Sequence, residues 1–131
     1  MSSKQNIPRF SIEGVTYTKH HNNAALSMRP LDDATMRELG FTDRRKGYWY
    51  LCRRVSIDSD VTLNVRIAKD GHDWQIDVLD ECFCQPYDYQ YLLSVNPTLD
   101  YANNVADECE KWYRRLSEWG LLSGWHEGMY V

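Results

Sequence analysis

Between Val61 and Asp80 the chain alternates strictly. Val61, Leu63, Val65 and Ile67 are separated by Thr62, Asn64 and Arg66, and beyond Asp70-Gly71 the alternation resumes with Trp74, Ile76 and Val78. A period of two places one set of side chains on each face of a strand, so the pattern predicts a half-buried hairpin with Asp70-Gly71 at its turn. Setting apolar against apolar requires Val65 opposite Ile76 and Ile67 opposite Trp74, across a loop of two or four residues. Just upstream, "YWYLCRRV" (Tyr48 to Val55) reads as a further strand. Its parity assigns Trp49, Leu51 and Val55 to the core and Tyr48, Tyr50, Cys52 and Arg54 to the other face.

The period then changes. Leu99, Ala102, Val105, Ala106, Cys109, Trp112, Tyr113, Leu116 and Trp119 recur at steps of three and one, which predicts a long helix lying across the sheet. Asn96 offers an N-cap, Pro97 suits the first helical position, and Gly120 ends the run, letting Leu121 close against Leu116. Asp107 with Lys111 and Glu110 with Arg114 fall at i,i+4 on its outer face. "LDDATMRELG" predicts a two-turn helix near residues 33–39, capped by Asp32 or Asp33, with Met36 and Leu39 inward and Gly40 as its stop. "RFSIEGVTYTKH" suggests a strand pair around Glu13-Gly14, and "NAALSMRPL" a short strand ended by Pro30. The tail, "LLSGWHEGMYV", reads as an edge strand or packed segment anchored by Trp125 and Tyr130. The fold class expected is α+β, one antiparallel sheet packed on a long C-terminal helix. With no repeat and no linker, the 131 residues read as one domain, with residues 1–6 disordered.

Composition changes this picture little. A 43% hydrophobic and 26% charged chain is that of a soluble globular protein. The first residues lack the apolar stretch of a signal peptide and no apolar run suits a membrane span, so the expected setting is cytoplasmic, with no membrane partner and four reduced thiols. Charge changes more. Residues 1–69 hold 12 Lys and Arg against 7 Asp and Glu, a net of +5, whereas residues 70–110 hold ten acids and no Lys or Arg, a net of -10. The chain is bipolar, which favours complementary surfaces.

Three constellations bear on chemistry. Arg44, Arg45, Lys46, Arg53 and Arg54 flank Tyr48 and Tyr50, and cations beside stacking rings are what a single-stranded nucleic acid requires. A solvated strand beside a charged turn outweighs that reading, because an acidic chain lacks the overall basic footprint. Asp70, Asp73, Asp77, Asp80, Glu81 and Asp88 offer oxygens for a divalent cation and a metal-dependent hydrolase, yet their spacing is not that of a metal-binding loop. His20, His21, His72 and His126 with Cys82 and Cys84 supply zinc ligands without a zinc spacing. No cofactor and no enzyme signature follow.

The densest stretch is "DECFCQPYDYQYLL", Asp80 to Leu93. Pro86 ends the preceding strand and "PYDYQYLL" suggests a short helical or turn element, with Tyr87 and Tyr91 neighbours and Leu92 and Leu93 inward. Tyr87, Asp88, Tyr89 and Tyr91 then form an acidic, tyrosine-bearing surface for another protein or a second copy of the chain, against the plainer option of rings roofing the core. "KDGHDWQIDVLDECFCQPYDYQYLL" followed by "GLLSGWHEGMYV" resembles a small family of uncharacterised proteins from Gram-positive bacteria and their prophages. The resemblance covers roughly the C-terminal half, implies a cytoplasmic or phage-associated protein, and carries no site residue.

Overall fold

The computed structural model describes the backbone of residues 9–12, 15–18, 26–57 and 59–129, and the side chains of 26–57 and 59–129. The elements run β1 (Arg9–Ile12), β2 (Val15–Thr18), β3 (Ser27–Met28), α1 (Asp33–Glu38), β4 (Tyr48–Arg54), β5 (Val61–Ala68), β6 (Trp74–Asp80), β7 (Gln85–Pro86), α2 (Tyr89–Val95), α3 (Asp100–Glu118) and β8 (Leu122–Ser123). The fold is α+β. A four-stranded antiparallel sheet, ordered β4-β5-β6-β7, carries the core, while β1-β2 and β3-β8 form two small pairs. β1 runs beside β6 and β7.

Alternation sets the register of the central hairpin. Val65 pairs with Ile76 and Ile67 with Trp74, and the Ala68 N–H donates to Asp73 O, closing a loop of four residues, 69–72, with Gly71 at φ 79°. On β4, Trp49 and Leu51 point inward with Val65 and Ile67 beside them. The inner face of the sheet, the helical stripe Ala102, Val105, Ala106, Cys109, Tyr113 and Leu116, and Met36 of α1 are all buried. Burying a side chain of Leu or Ile size contributes about 1.5–3 kcal/mol, and this one continuous cluster is the main source of stability.

Both helix ends anticipated from glycine, after α1 and after α3, fall where expected. Gly40 N–H donates to Arg37 O and Phe41 N–H to Met36 O; Gly120 N–H donates to Ser117 O and Leu121 N–H to Leu116 O. These are two complete Schellman closures, each with glycine in the left-handed region, at φ 101° and 87°. The start of α3 differs from expectation. The helix begins at Asp100, three residues after Pro97, because Asn96 is already committed: its N–H closes α2 on Leu92 O, and its Oδ1 accepts from Thr98 N–H at 3.3 Å in an Asx turn. Competition between a local side-chain bond and the helix ladder decides the boundary.

The ion pairs on α3 differ too. Lys111 binds Glu108 rather than Asp107, at 2.8 Å. Arg114 reaches Glu127 at 2.8 Å and Glu110 accepts from Gly128 N–H at 3.0 Å, so both hold the C-terminal tail. There Trp125 stacks on Tyr113, centroids 6.4 Å apart. The expectations for residues 1–6, Glu13-Gly14, His20, His21 and Tyr130 lie outside the described residues.

Candidate functional site

In the stretch Asp80 to Leu93 the strand ends at Asp80 and a short helix follows at Tyr89–Val95, as expected, but a two-residue strand that the sequence reading lacked lies between them. Pro86 lies in β7, opposite Leu79, and the ladder continues through Tyr87 N–H to Val78 O at 3.0 Å. An edge strand tolerates proline because only its outward side loses a donor. Asp80 Oδ1 accepts from Cys82 N–H and Phe83 N–H at 3.1 and 3.4 Å, and Cys84 adopts a left-handed φ of 51°. "ECFC" is thus a four-residue hairpin loop with Cys82 and Cys84 in a turn, where strand parity does not apply, and with Phe83 70% exposed.

The four residues assigned to a recognition surface separate. Tyr89 is fully buried, and its hydroxyl has no hydrogen-bonding oxygen or nitrogen, with the Cys109 thiol beside it; burial pushes its pKa well above the usual phenol range. It belongs to the core and is no surface contact. The reason lies in phase: Asp88 caps α2, accepting from Tyr91 N–H at 3.1 Å, and this start turns Tyr89 toward α3 and Tyr91 toward solvent. Tyr87 is half-buried, its hydroxyl enclosed without a hydrogen-bond partner. Burial, with the charges of Tyr101 and Asp80, raises its pKa to about 12.

What replaces a tyrosine row is a groove. A hollow of about 370 Å³ is lined by Ile57, Asp80, Tyr87, Tyr101 and Val105. It adjoins a larger one of about 660 Å³, through Ser56, Ile57 and Asn104, lined further along α3 by Asp107, Glu108, Glu110, Lys111 and Arg114. Glu108 and Glu127 are neutralised by Lys111 and Arg114, and Arg114 holds Glu127's carboxyl below the usual range. Among the described residues Asp107 and Glu110 form no salt bridge, and Glu110 Oε2 is buried without a hydrogen-bond partner. At the groove's mouth Ile57 is 75% and Tyr101 60% exposed. Sequence reasoning missed both, along with Phe83. Ile57 sits among polar residues, where no periodicity marks it, and the signal for Tyr101 was its place off the apolar stripe of α3.

The basic strand is also divided. Arg44, Arg45 and Lys46 are exposed in the turn before β4, and Arg54 beside the β4–β5 turn, bonded to Ser59 O at 3.1 Å. Tyr48 and Tyr50 are half-buried on the outer face, and Tyr48 is occupied: the Arg66 guanidinium lies 5.2 Å from its centroid and donates to Asp73 at 3.1 Å. Arg53, of opposite parity, lies toward Trp112. The seven residues do not make one stacking platform.

The acidic residues proposed for a cation are likewise dispersed among local partners. Asp70 bonds His72, which lowers the Asp70 pKa. Asp73 pairs with Arg66, Asp77 accepts from Gln75, Asp80 closes the hairpin loop, Glu81 accepts from Thr62 and Asp88 caps α2. Among the described residues no three His, Cys, Asp or Glu converge as metal ligands. All four cysteines are free thiols, with Cys52 raised in pKa chiefly by desolvation. Among the described residues no helix is long and apolar enough to cross a membrane. Comparison with protein-family models, curated proteins and solved structures finds no match to the chain, so the groove stands on its own geometry.

Proposed function

We propose that the chain is a non-enzymatic, cytoplasmic protein-interaction module whose acidic groove, between the β4–β5 turn and α3, takes a basic segment carrying an apolar anchor. The observation that supports this most is the coincidence of exposed Ile57 and Tyr101 with a hollow whose continuation holds Asp107 and Glu110, carboxylates that form no salt bridge among the described residues. An aromatic and an aliphatic side chain at the mouth supply contact area, and the carboxylates select for positive charge and speed encounter. Tyr87 contributes as part of the groove's wall, its hydroxyl enclosed beneath it, and Asp88 contributes through the cap that directs Tyr91 outward.

The partner is another protein or a second copy, whose exposed Arg44, Arg45 and Lys46 would meet the acidic groove head to tail. Titration of the protein with a lysine-rich peptide bearing leucine anchors, beside sedimentation equilibrium at low and high salt, tests both versions. Binding or self-association that weakens with salt and falls at least about tenfold in Tyr101→Ala supports the reading. A salt-indifferent monomer that ignores the peptide overturns it.

A further inference from the structure

Two tryptophans each carry a pair of cations, and among the described residues only one pair is neutralised. At Trp49, Arg37 Cζ lies 5.3 Å and Lys69 Nζ 4.6 Å from the ring centroid. Asp43 accepts from both, at 3.0 and 2.8 Å, and its carboxyl is held below the usual range. At Trp112, Arg53 Cζ lies 5.7 Å and Arg115 Cζ 4.5 Å from the centroid. Among the described residues no carboxylate forms a salt bridge with either arginine. The same arrangement is closed by an internal anion at one indole and left open at the other.

The open site is also built. Trp119 packs against Trp112 in a T-shaped contact, centroids 6.1 Å apart. Arg53 Nη1 donates to Cys52 O at 2.9 Å, and Arg53 Nη2 occupies the space a Cβ on Gly40 would fill. Gly40 is favoured by its φ of 101°, and any side chain there would also displace the end of Arg53. A guanidinium seated on an indole keeps its N–H edge for an oxyanion and loses little freedom on binding. We propose that Arg53 and Arg115, seated on Trp112, bind the phosphoryl group of a small phosphorylated ligand.

Charge selects this ligand. A phosphate monoester carries about -1.5 to -2 at neutral pH and matches two guanidiniums, whereas a carboxylate matches one. A long polyanion is disfavoured by the ten acids and absent Lys and Arg of residues 70–110. Trp112, Arg115 and Trp119 fall on one flank of the buried stripe of α3 and the groove's Glu110 and Arg114 on the other, with the groove's Glu108 and Lys111 reaching round the outer face toward Arg115. Small anions probe this site and a basic peptide the groove, so failure of one reading is distinguishable from failure of the other.

Calorimetric titration with inorganic phosphate, pyrophosphate, adenosine monophosphate and a twelve-nucleotide single strand tests it, on the wild type, Arg115→Gln, Arg115→Lys and Arg53→Gln. Thermal unfolding of each variant runs alongside. Saturable binding of phosphate, pyrophosphate or the nucleotide is expected, reduced at least about tenfold in Arg115→Gln and less in Arg115→Lys, which keeps charge but loses the planar fork. Equal response to phosphate, pyrophosphate and nucleotide identifies the phosphoryl group alone as the determinant. Arg115 is exposed, so its variants should unfold as the wild type does even if Arg53→Gln does not. No saturable binding of any small probe, or binding indifferent to Arg115→Gln, overturns the proposal. So does tighter binding of the single strand than of the nucleotide, in favour of a nucleic acid.

Discussion

The β5–β6 hairpin and the segment from Glu81 to Val95 follow one another in the chain and are both rich in large apolar side chains, yet they use them in opposite ways. In the hairpin every inward residue from Val61 to Val78 is buried and every partner is set by strand parity. In the second segment Tyr89 is fully buried while Phe83, Tyr91 and Val95 are exposed. The first is mostly aliphatic and the second mostly aromatic, but type alone does not sort them, since Tyr89 and Tyr91 part company; what differs is whether a repeating geometry dictates direction. Where it does, aromatic and aliphatic groups become core, and where a cap and a loop set direction instead, some are left for contact.

The sharpest way to break this contrast is at Tyr89. Tyr89→Ala should destabilise by about 3–5 kcal/mol, as loss of a buried ring does, whereas Tyr91→Ala should stay within about 0.5 kcal/mol of wild type. Denaturant titration of the two variants measures both, and equal costs would place Tyr89 and Tyr91 in the same environment. On the hairpin side, Ile76→Ala should cost about 2–5 kcal/mol. A neutral result would invert the face assignment. Asp88→Ala should cost about 1 kcal/mol by removing the α2 cap, and Asp88→Asn should restore most of it, since amide and carboxylate cap alike. A failure of Asn to rescue would point to charge rather than capping.

The smallest effect is alkaline. A phenol whose pKa is raised on folding keeps its proton in the native state after the unfolded chain has lost it, so its stabilising contribution is whole below pH 10 and is lost as pH rises toward Tyr87's value of about 12. Tyr87→Phe should therefore flatten the fall in melting temperature over that interval, leaving the share due to Tyr89. An unchanged slope would mean that Tyr87 is solvated.

Much of the fold was legible because two periods dominate it. Alternation gave the register of Val65 with Ile76, the glycines at 40 and 120 gave the helix ends, and Leu121 gave the closure of the second. The start of α3 was not legible, because Asn96 can cap a helix or close a turn and only the preceding α2 decides which. Of the candidate site, the acidic character was readable, and beside it the exposure of Tyr91. The burial of Tyr89 was not, since it depends on the phase set by Asp88 one residue earlier. Ile57 and Tyr101 are far apart in sequence and meet only through the packing of α3 against the sheet.

The two ends of the four-stranded sheet have a consequence for how any partner attaches. At one end the edge strand is two residues long and contains Pro86, which has no N–H to offer. At the other, Thr42 takes both outward backbone bonds of Tyr50, and Arg53 covers the carbonyl of Cys52. Among the described residues these bonds leave β4 no free run of backbone donors and acceptors long enough to template another strand, while β7 covers Leu79 and Asp80 at the end of β6. Growth of this sheet by strand addition is thereby obstructed along β4 and at β7, which guards the molecule against edge-to-edge aggregation there. A partner of the sheet must then read side chains, and selectivity rests on their shape and charge.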